Sequence, residues 1–444
     1  MIDTLTSRQA RHIIEVVGST GTPPEWGFQF FSAGLDDTLR VLEEDYFRTF
    51  LRDGGASFKV VVGAYGGGKT HFLYSIRELA WKHDFLVSYC ALSQDSSPFY
   101  RLEKIYRAVV THLMRPLSPD ELLQGGERGI GPFLRHVHAT LVEALAAEEA
   151  QEGGLDQRLQ AVIADVTRGL ENPNFGRAVR GALEALSRDD LDTFDQMVQY
   201  LTLDGYDRVR HGAAGILQPI ERGQAFATLR SLVTLLRHLR FRGLVILFDE
   251  AEQAGAMTSK QKEMMLANLR ELVDQCGTSA FASVMIFYAV PTEQFLVEGR
   301  SPAYEALRQR IQSVFDFTNP TGVTLRLERM TQAPETLLRE IGNKMIRVYQ
   351  RAYSCQLPRE PADRLVDLLA QEASQLAFGD IGYKRLFVQA VVKGLHHLRA
   401  DPALEPDQAL AESLVLPHRE PPALGPGIGK TQAIELDEDP WEDL

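Results

Sequence analysis

The sequence predicts an α/β fold: a parallel β-sheet covered by helices, carrying a large helical insertion and a C-terminal helical lid. Three observations lead there. Short, almost continuous apolar runs recur along the chain, the pattern of strands buried on both faces. Helical patterns separate these runs, as parallel strand neighbours require. The first run passes directly into a glycine-rich loop and then a helix-compatible stretch, Phe58 to Leu79.

Taken in order, residues 1–50 hold two helical patterns around the turn Gly18-Ser19-Thr20-Gly21-Thr22-Pro23-Pro24. The second, Gly34 to Leu51, carries apolar residues near helical spacing and is expected to pack on the sheet domain. That domain is expected to span 51–330. Its strands are read in Phe58–Val62, Phe85–Leu92, Arg242–Glu250, Ala282–Val290 and Val323–Leu327. Residues of about 98–240 carry helical spacing, few β-branched runs and several Gly or Pro breaks. They read as a helical insertion between the second and third strands. Residues 331–400 read as helices only, a lid. From Asp401 to Leu444 seven prolines and few aromatic residues predict a flexible acidic tail.

The loop Gly63-Ala64-Tyr65-Gly66-Gly67-Gly68-Lys69-Thr70 fits G-x-x-x-x-G-K-[ST] at every fixed position. Its glycines let backbone N–H groups surround a triphosphate, and the following helix points its positive end at the same anion. Gly63, Ala64, Tyr65, Gly66, Gly67, Gly68, Lys69, Thr70 and His71 are therefore the candidate ATP-binding residues. Lys69 is placed for the β/γ-phosphate oxygens and Thr70 for Mg²⁺. Asp249 ends a buried strand, where its carboxylate can join Thr70 at the metal. Glu250 follows as the candidate proton acceptor from an attacking water. Thr292, after the fourth strand, either contacts the γ-phosphate region or caps a helix. Arg308 or Arg310 either reaches a neighbouring subunit's nucleotide or lies on a solvated face. Arg385, beside Lys384 at the start of a lid helix, either closes over nucleotide or is solvated.

Composition sets limits. In 444 residues, 44% are apolar, 24% charged, and the net charge is −13. That balance argues against indiscriminate binding to nucleic acid or acidic membranes. Cys90, Cys276 and Cys355 lie far apart without a C-x-x-C pair, so neither a disulfide framework nor a zinc site is expected. No signal sequence and no 18-residue apolar run is seen, so the expected location is cytoplasmic, with no membrane contact. Lys344, Arg347 and Arg351 share one face of a lid helix, a candidate DNA contact or a solvated charged face. Lys384, Arg385, Lys393 and Arg399 add basic character nearby in sequence. Trp441, among six acids in Glu435–Leu444, is either a partner-docking anchor or part of an acidic tail that solubilises the chain or shields a basic surface.

The P-loop, the Asp249-Glu250 pair, the strand-end Thr292 and the helical lid together resemble an AAA+ ATPase. Within that class, Ser57–Leu73 and Gly243–Glu252 resemble the ATPases of BREX phage-defence islands, BrxD and the larger BrxC, over roughly residues 5–400. The resemblance implies an ATP-hydrolysing, Mg²⁺-dependent enzyme related to origin-recognition initiators. It also implies a homo-oligomer that works on DNA with other defence-system proteins, or else an ATP-dependent switch with little turnover. The sequence departs from the usual pattern in two respects: Asp249 comes 180 residues after Lys69, and no separate winged-helix domain is expected after the lid, which makes DNA binding less secure than ATP binding.

Overall fold

The computed structural model describes residues 4–415 except 94, 148–153, 251–256, 279, 298–301, 331–332 and 377–381. The acidic stretch around Trp441 lies outside the described residues.

The predicted α/β fold is present. Six strands form one sheet: β1 (Ala56–Val62), β2 (Phe85–Ala91), β3 (Leu113–Met114), β4 (Gly243–Asp249), β5 (Val284–Val290) and β6 (Thr324–Arg326). Their spatial order is β3-β2-β4-β5-β1-β6, and every pair is parallel except β3 with β2. The sequence reading missed only β3, which is two residues long and has no run to recognise.

Side chains alternate across the strands. Phe58, Val60, Leu244, Ile246, Val284 and Ile286 face a core shared with the helical insertion. Val61, Val245, Leu247, Met285 and Phe287 face a second core, shared with the N-terminal segment, the P-loop helix and the lid. The register sets Val62 beside Val290, Tyr288 beside Phe248, and Asp249 beside Ala91. The C-terminal ends of β1, β5, β4 and β2 thus share one edge, and β5 separates the P-loop strand from the Asp249 strand.

One lysine sits inside β1. Lys59 is buried, with Nζ donating to Gly322 O at 2.6 Å and Tyr46 Oη at 2.7 Å. It ties the segment Glu43–Phe50 to the loop before β6.

The N-terminal 50 residues do not form one unit. Phe47 packs on Phe85 and His83, beside the sheet, as expected of the second pattern. The helix Ser7–Thr20 instead packs on the lid helices Pro334–Tyr353 and Tyr383–Ala400. It opens with a Thr6/Gln9 capping box and ends at left-handed Gly21.

The expected tail boundary at 401 is corrected. Gln408–Val415 is a helix whose Ala411 and Val415 are buried against the lid. Their i, i+4 spacing makes one apolar face, and Asp407 accepts from Leu410 N at 2.9 Å. Averaging composition over the proline-rich stretch hid this short helix. No described helix is long and apolar enough to cross a membrane.

Candidate nucleotide site

The loop after β1 turns back on itself through Gly66 (φ +68) and Gly68 (φ +99), conformations that glycine adopts without a Cβ penalty. Gly67 N donates to Ala64 O at 2.9 Å, closing the turn. The helix Lys69–Lys82 starts directly after it.

Lys69 is buried, and its Nζ donates to Gly63 O at 2.9 Å and Ala64 O at 3.3 Å. The ammonium also lies over the Tyr65 ring. Thr70 Oγ1 donates to Asp249 Oδ2 at 2.7 Å. Asp249 is 2% exposed. Tyr89 Oη donates to the same oxygen at 2.7 Å, and Glu250 N donates to Oδ1 at 2.9 Å. Burial first, and the Asp249 charge second, push the Tyr89 phenol well up, so it stays a donor. Glu250 turns the chain at φ +56, in the left-handed region, and its side chain is exposed.

A cavity of about 330 Å³ opens over these groups. One wall is polar: Gly66 to Thr70, Asp249, Glu250, Lys384 and Arg385. The other is apolar and comes from the N-terminal segment and the lid, including Val17, Phe31, Leu35, Leu337 and Ile341. A polar end beside an apolar end suits a phosphorylated ligand with a flat, apolar ring.

The lid sits directly on the P-loop. Lys384 Nζ donates to Gly67 O at 2.8 Å. Burial lowers the Lys384 pKa, and the Glu328 carboxylate opposes that. Glu328 Oε1 accepts from Ala64 N at 3.0 Å. Gly382 lies so near Gly66 that a Cβ on Gly66 would stand 2.7 Å from Gly382 Cα.

The candidate residues fall into distinct groups. Lys69, Thr70, Asp249, Glu250 and Arg385 all line the cavity. His71 lines it too, but its ring packs on Phe28 and Phe31 and its Nε2 bonds Ser32 Oγ at 2.7 Å. Burial first, then Lys384, push its pKa down to about 4. His71 is therefore neutral near pH 7 and braces the apolar wall instead of supplying charge. Thr292 is exposed and is not part of the cavity lining. Its neighbour Glu293 instead pairs with Arg326, Nη2 to Oε2 at 2.9 Å. Arg310 is held by Asp274 and by Ala306 O, at 2.5 and 2.8 Å. Arg308 is paired only locally, with Glu305 at 2.6 Å, and is 56% exposed.

The basic lid face is largely occupied by contacts within the chain. Lys344 Nζ donates to Ser32 O and Glu340 Oε1, both at 2.6 Å. Arg351 Nε donates to Leu5 O at 2.6 Å. Arg347 is exposed. Lys384, as described, faces the P-loop. Sequence reasoning missed Lys384, Glu328 and Tyr89 as parts of the site. Only Lys384 carried a signal, its place beside Arg385.

The donor set around Thr70 and Asp249 consists of hydroxyl and carboxylate oxygens, suited to a hard cation. Among the described residues no cluster of three or more His, Cys, Asp or Glu could hold a metal alone. Mg²⁺ is a cation of this hard class, and it takes one or two protein oxygens together with phosphates and water.

A family model described as BREX system ATP-binding protein BrxC/D matches residues 5–414. No curated protein and no solved structure matches the chain. With the match covering nearly the whole chain, and with a P-loop set on β1 of a mostly parallel sheet, this protein belongs to the BREX system ATP-binding protein BrxC/D family.

Proposed function

We propose that the protein hydrolyses Mg-ATP, and that this turnover drives a phage-defence assembly acting at DNA with partner proteins. The observation that carries the reading is the direct Thr70–Asp249 hydrogen bond at the foot of the cavity, with Lys69 and Glu250 beside it. Lys69 and Lys384 would supply positive charge to phosphate oxygens, and the P-loop amides would point at the same group. Thr70 and Asp249 would hold Mg²⁺, which when bound neutralises charge on the phosphates. Glu250, exposed at the rim, would accept a proton from water. The apolar wall would take the adenine ring.

Arg308 is the better of the two arginines for reaching a neighbouring subunit, since Arg310 would first have to leave Asp274. Action at DNA, partner proteins and a homo-oligomer rest on the resemblance to origin-recognition initiators and defence ATPases. The switch reading, with tight retention and little turnover, is favoured by one specific observation. The lid lysine Lys384 and the carboxylate of Glu328 both bind the P-loop backbone, so exchange of nucleotide requires these contacts to break.

The test is Glu250→Gln, which keeps shape and removes the proton acceptor. The expected outcome is unchanged ATP affinity with hydrolysis reduced at least 100-fold, in the range that general-base loss produces. Equal, measurable hydrolysis by the two proteins would refute the assignment of Glu250 as the proton acceptor. Near-zero hydrolysis in both, with tight ATP binding, would establish the switch.

A further inference from the structure

We propose that Tyr89 is a positioning residue for Asp249, and that its phenol fixes the carboxylate in the orientation that serves Mg²⁺-dependent nucleotide binding. The inference rests on the ATP-site reading above and deepens it. Tyr89 lies near the end of β2, opposite Leu247 and two residues before the Ala91–Asp249 pair. The pleat puts Tyr89, Leu247 and Asp249 on one face of the sheet. The long phenol then reaches forward to Asp249 Oδ2. Tyr89 is absent from the cavity lining, so it approaches the carboxylate from outside the ligand's space.

The hydrogen bonds around Asp249 explain why this donor matters. Oδ1 accepts from Glu250 N, and Oδ2 accepts from both Thr70 and Tyr89. If Thr70's oxygen is engaged by a cation, Tyr89 remains as the side-chain donor seen on Oδ2. It would then be the group that resists rotation of the carboxylate about its terminal torsion, which is otherwise soft. The phenol is itself held. Its ring packs on Tyr74 at 5.2 Å, and Tyr74 in turn lies 5.0 Å from the guanidinium of Arg77. Arg77 is fully buried and donates to Glu25 O at 2.6 Å. The other β2 hydroxyl, Ser88, is committed to Val109 O at 2.8 Å. Such a stacked, buried support is the kind of shell that orients ligating carboxylates.

The experiment measures binding of a fluorescent ATP analogue to the full chain in EDTA and in Mg²⁺. Tyr89→Phe keeps the ring and removes the donor. The expected result is an unchanged affinity in EDTA, with the Mg²⁺-dependent gain in affinity reduced about tenfold, equivalent to ~1.4 kcal/mol. In an Asp249→Ala background the same substitution should cost nothing further, because its acceptor is gone. Tyr89→Leu should lose the same Mg²⁺-dependent gain and also lower Tm. An unchanged gain in Tyr89→Phe, additive losses in the Asp249→Ala background, or a lower Tm with the gain intact would each overturn the role. If the wild-type protein shows no Mg²⁺-dependent gain, the ATP-site reading itself fails and the role of Tyr89 falls with it. Failure confined to the variants leaves that reading standing.

Discussion

Replacing Gly66 with alanine should unseat the lid, and the size of the effect follows from two distances. Alanine at φ +68 carries left-handed strain of about 1–2 kcal/mol. The added Cβ also meets Gly382 Cα at 2.7 Å, where ordinary contact begins at 3.4 Å. Both atoms belong to the backbone side of the contact, so neither can swing away, and the start of the lid helix must retreat by about 0.7 Å. A retreat of that size lengthens the 2.8 Å Lys384–Gly67 hydrogen bond to about 3.5 Å, beyond the useful range. A hydrogen bond from a charged donor contributes about 1.5–3 kcal/mol. The left-handed strain falls on the P-loop whether or not the lid is seated, so the lid contact itself should weaken by about 1.5–3 kcal/mol. Hydrogen exchange at Arg385 and Leu386, whose amides bond Gly382 O, reads this directly. Their protection should fall at least about tenfold. Gly68→Ala is the control, because it is also left-handed, at φ +99, but its Cβ meets only Lys384 Nζ at 3.8 Å. It should keep the lid amides protected. Wild-type protection in Gly66→Ala, or equal loss in both variants, would refute the reasoning.

Lys384→Met keeps the aliphatic stem and removes the ammonium, so ATP should dissociate about tenfold faster or more, measured by stopped-flow displacement; an unchanged rate would remove Lys384 from the site. Glu43 joins Lys82 and Arg48 at 2.8 Å each and His83 at 3.0 Å. The bond from Lys82 leads in holding its carboxyl down at about 2 against burial, with His83 and Arg48 adding to it. A depressed carboxylate stabilises the fold above its unfolded pKa, and that contribution is lost as pH falls from about 4.5 towards 2. Glu43→Gln should cost about 1–2 kcal/mol at pH 7 and flatten the acid limb of Tm against pH; parallel curves from pH 5 to 3 would count against this.

Much of the sheet could be read from the sequence because burial on both faces forces near-continuous apolar runs. The five recognised strands end within a few residues of their observed limits for that reason. Lys59 did not hide β1, although the acceptors of its hydrogen bonds, Tyr46 and the Pro320 and Gly322 carbonyls, come from distant sequence. The polar half of the cavity was legible from a contiguous motif and one strand end. The remainder depends on which way neighbouring side chains point. Lys384 and Arg385 are adjacent in sequence, yet only the Lys384 head reaches Gly67 O. The shared face of Lys344, Arg347 and Arg351 is real, but carbonyls from Leu5 and Ser32 occupy part of it. No local pattern announces such partners. Arg310 is similar, since its partner Asp274 lies on the helix before β5.

The packing of the helix Ser7–Thr20 on the lid has a consequence for how the chain matures. Arg351 reaches back 346 residues to Leu5, and Gln389 reaches 370 residues to Ser19 O. During synthesis this helix leaves the ribosome long before the surfaces that bury Ile13, Ile14 and Val17 exist. Its apolar face must wait while the whole sheet and insertion are made, at about 5–20 residues per second a delay of tens of seconds. Contacts of such sequence separation also form slowly after release. A chaperone that shelters this helix, or slow closure of the lid after the sheet has folded, would therefore set the pace at which nascent chains acquire a complete cavity.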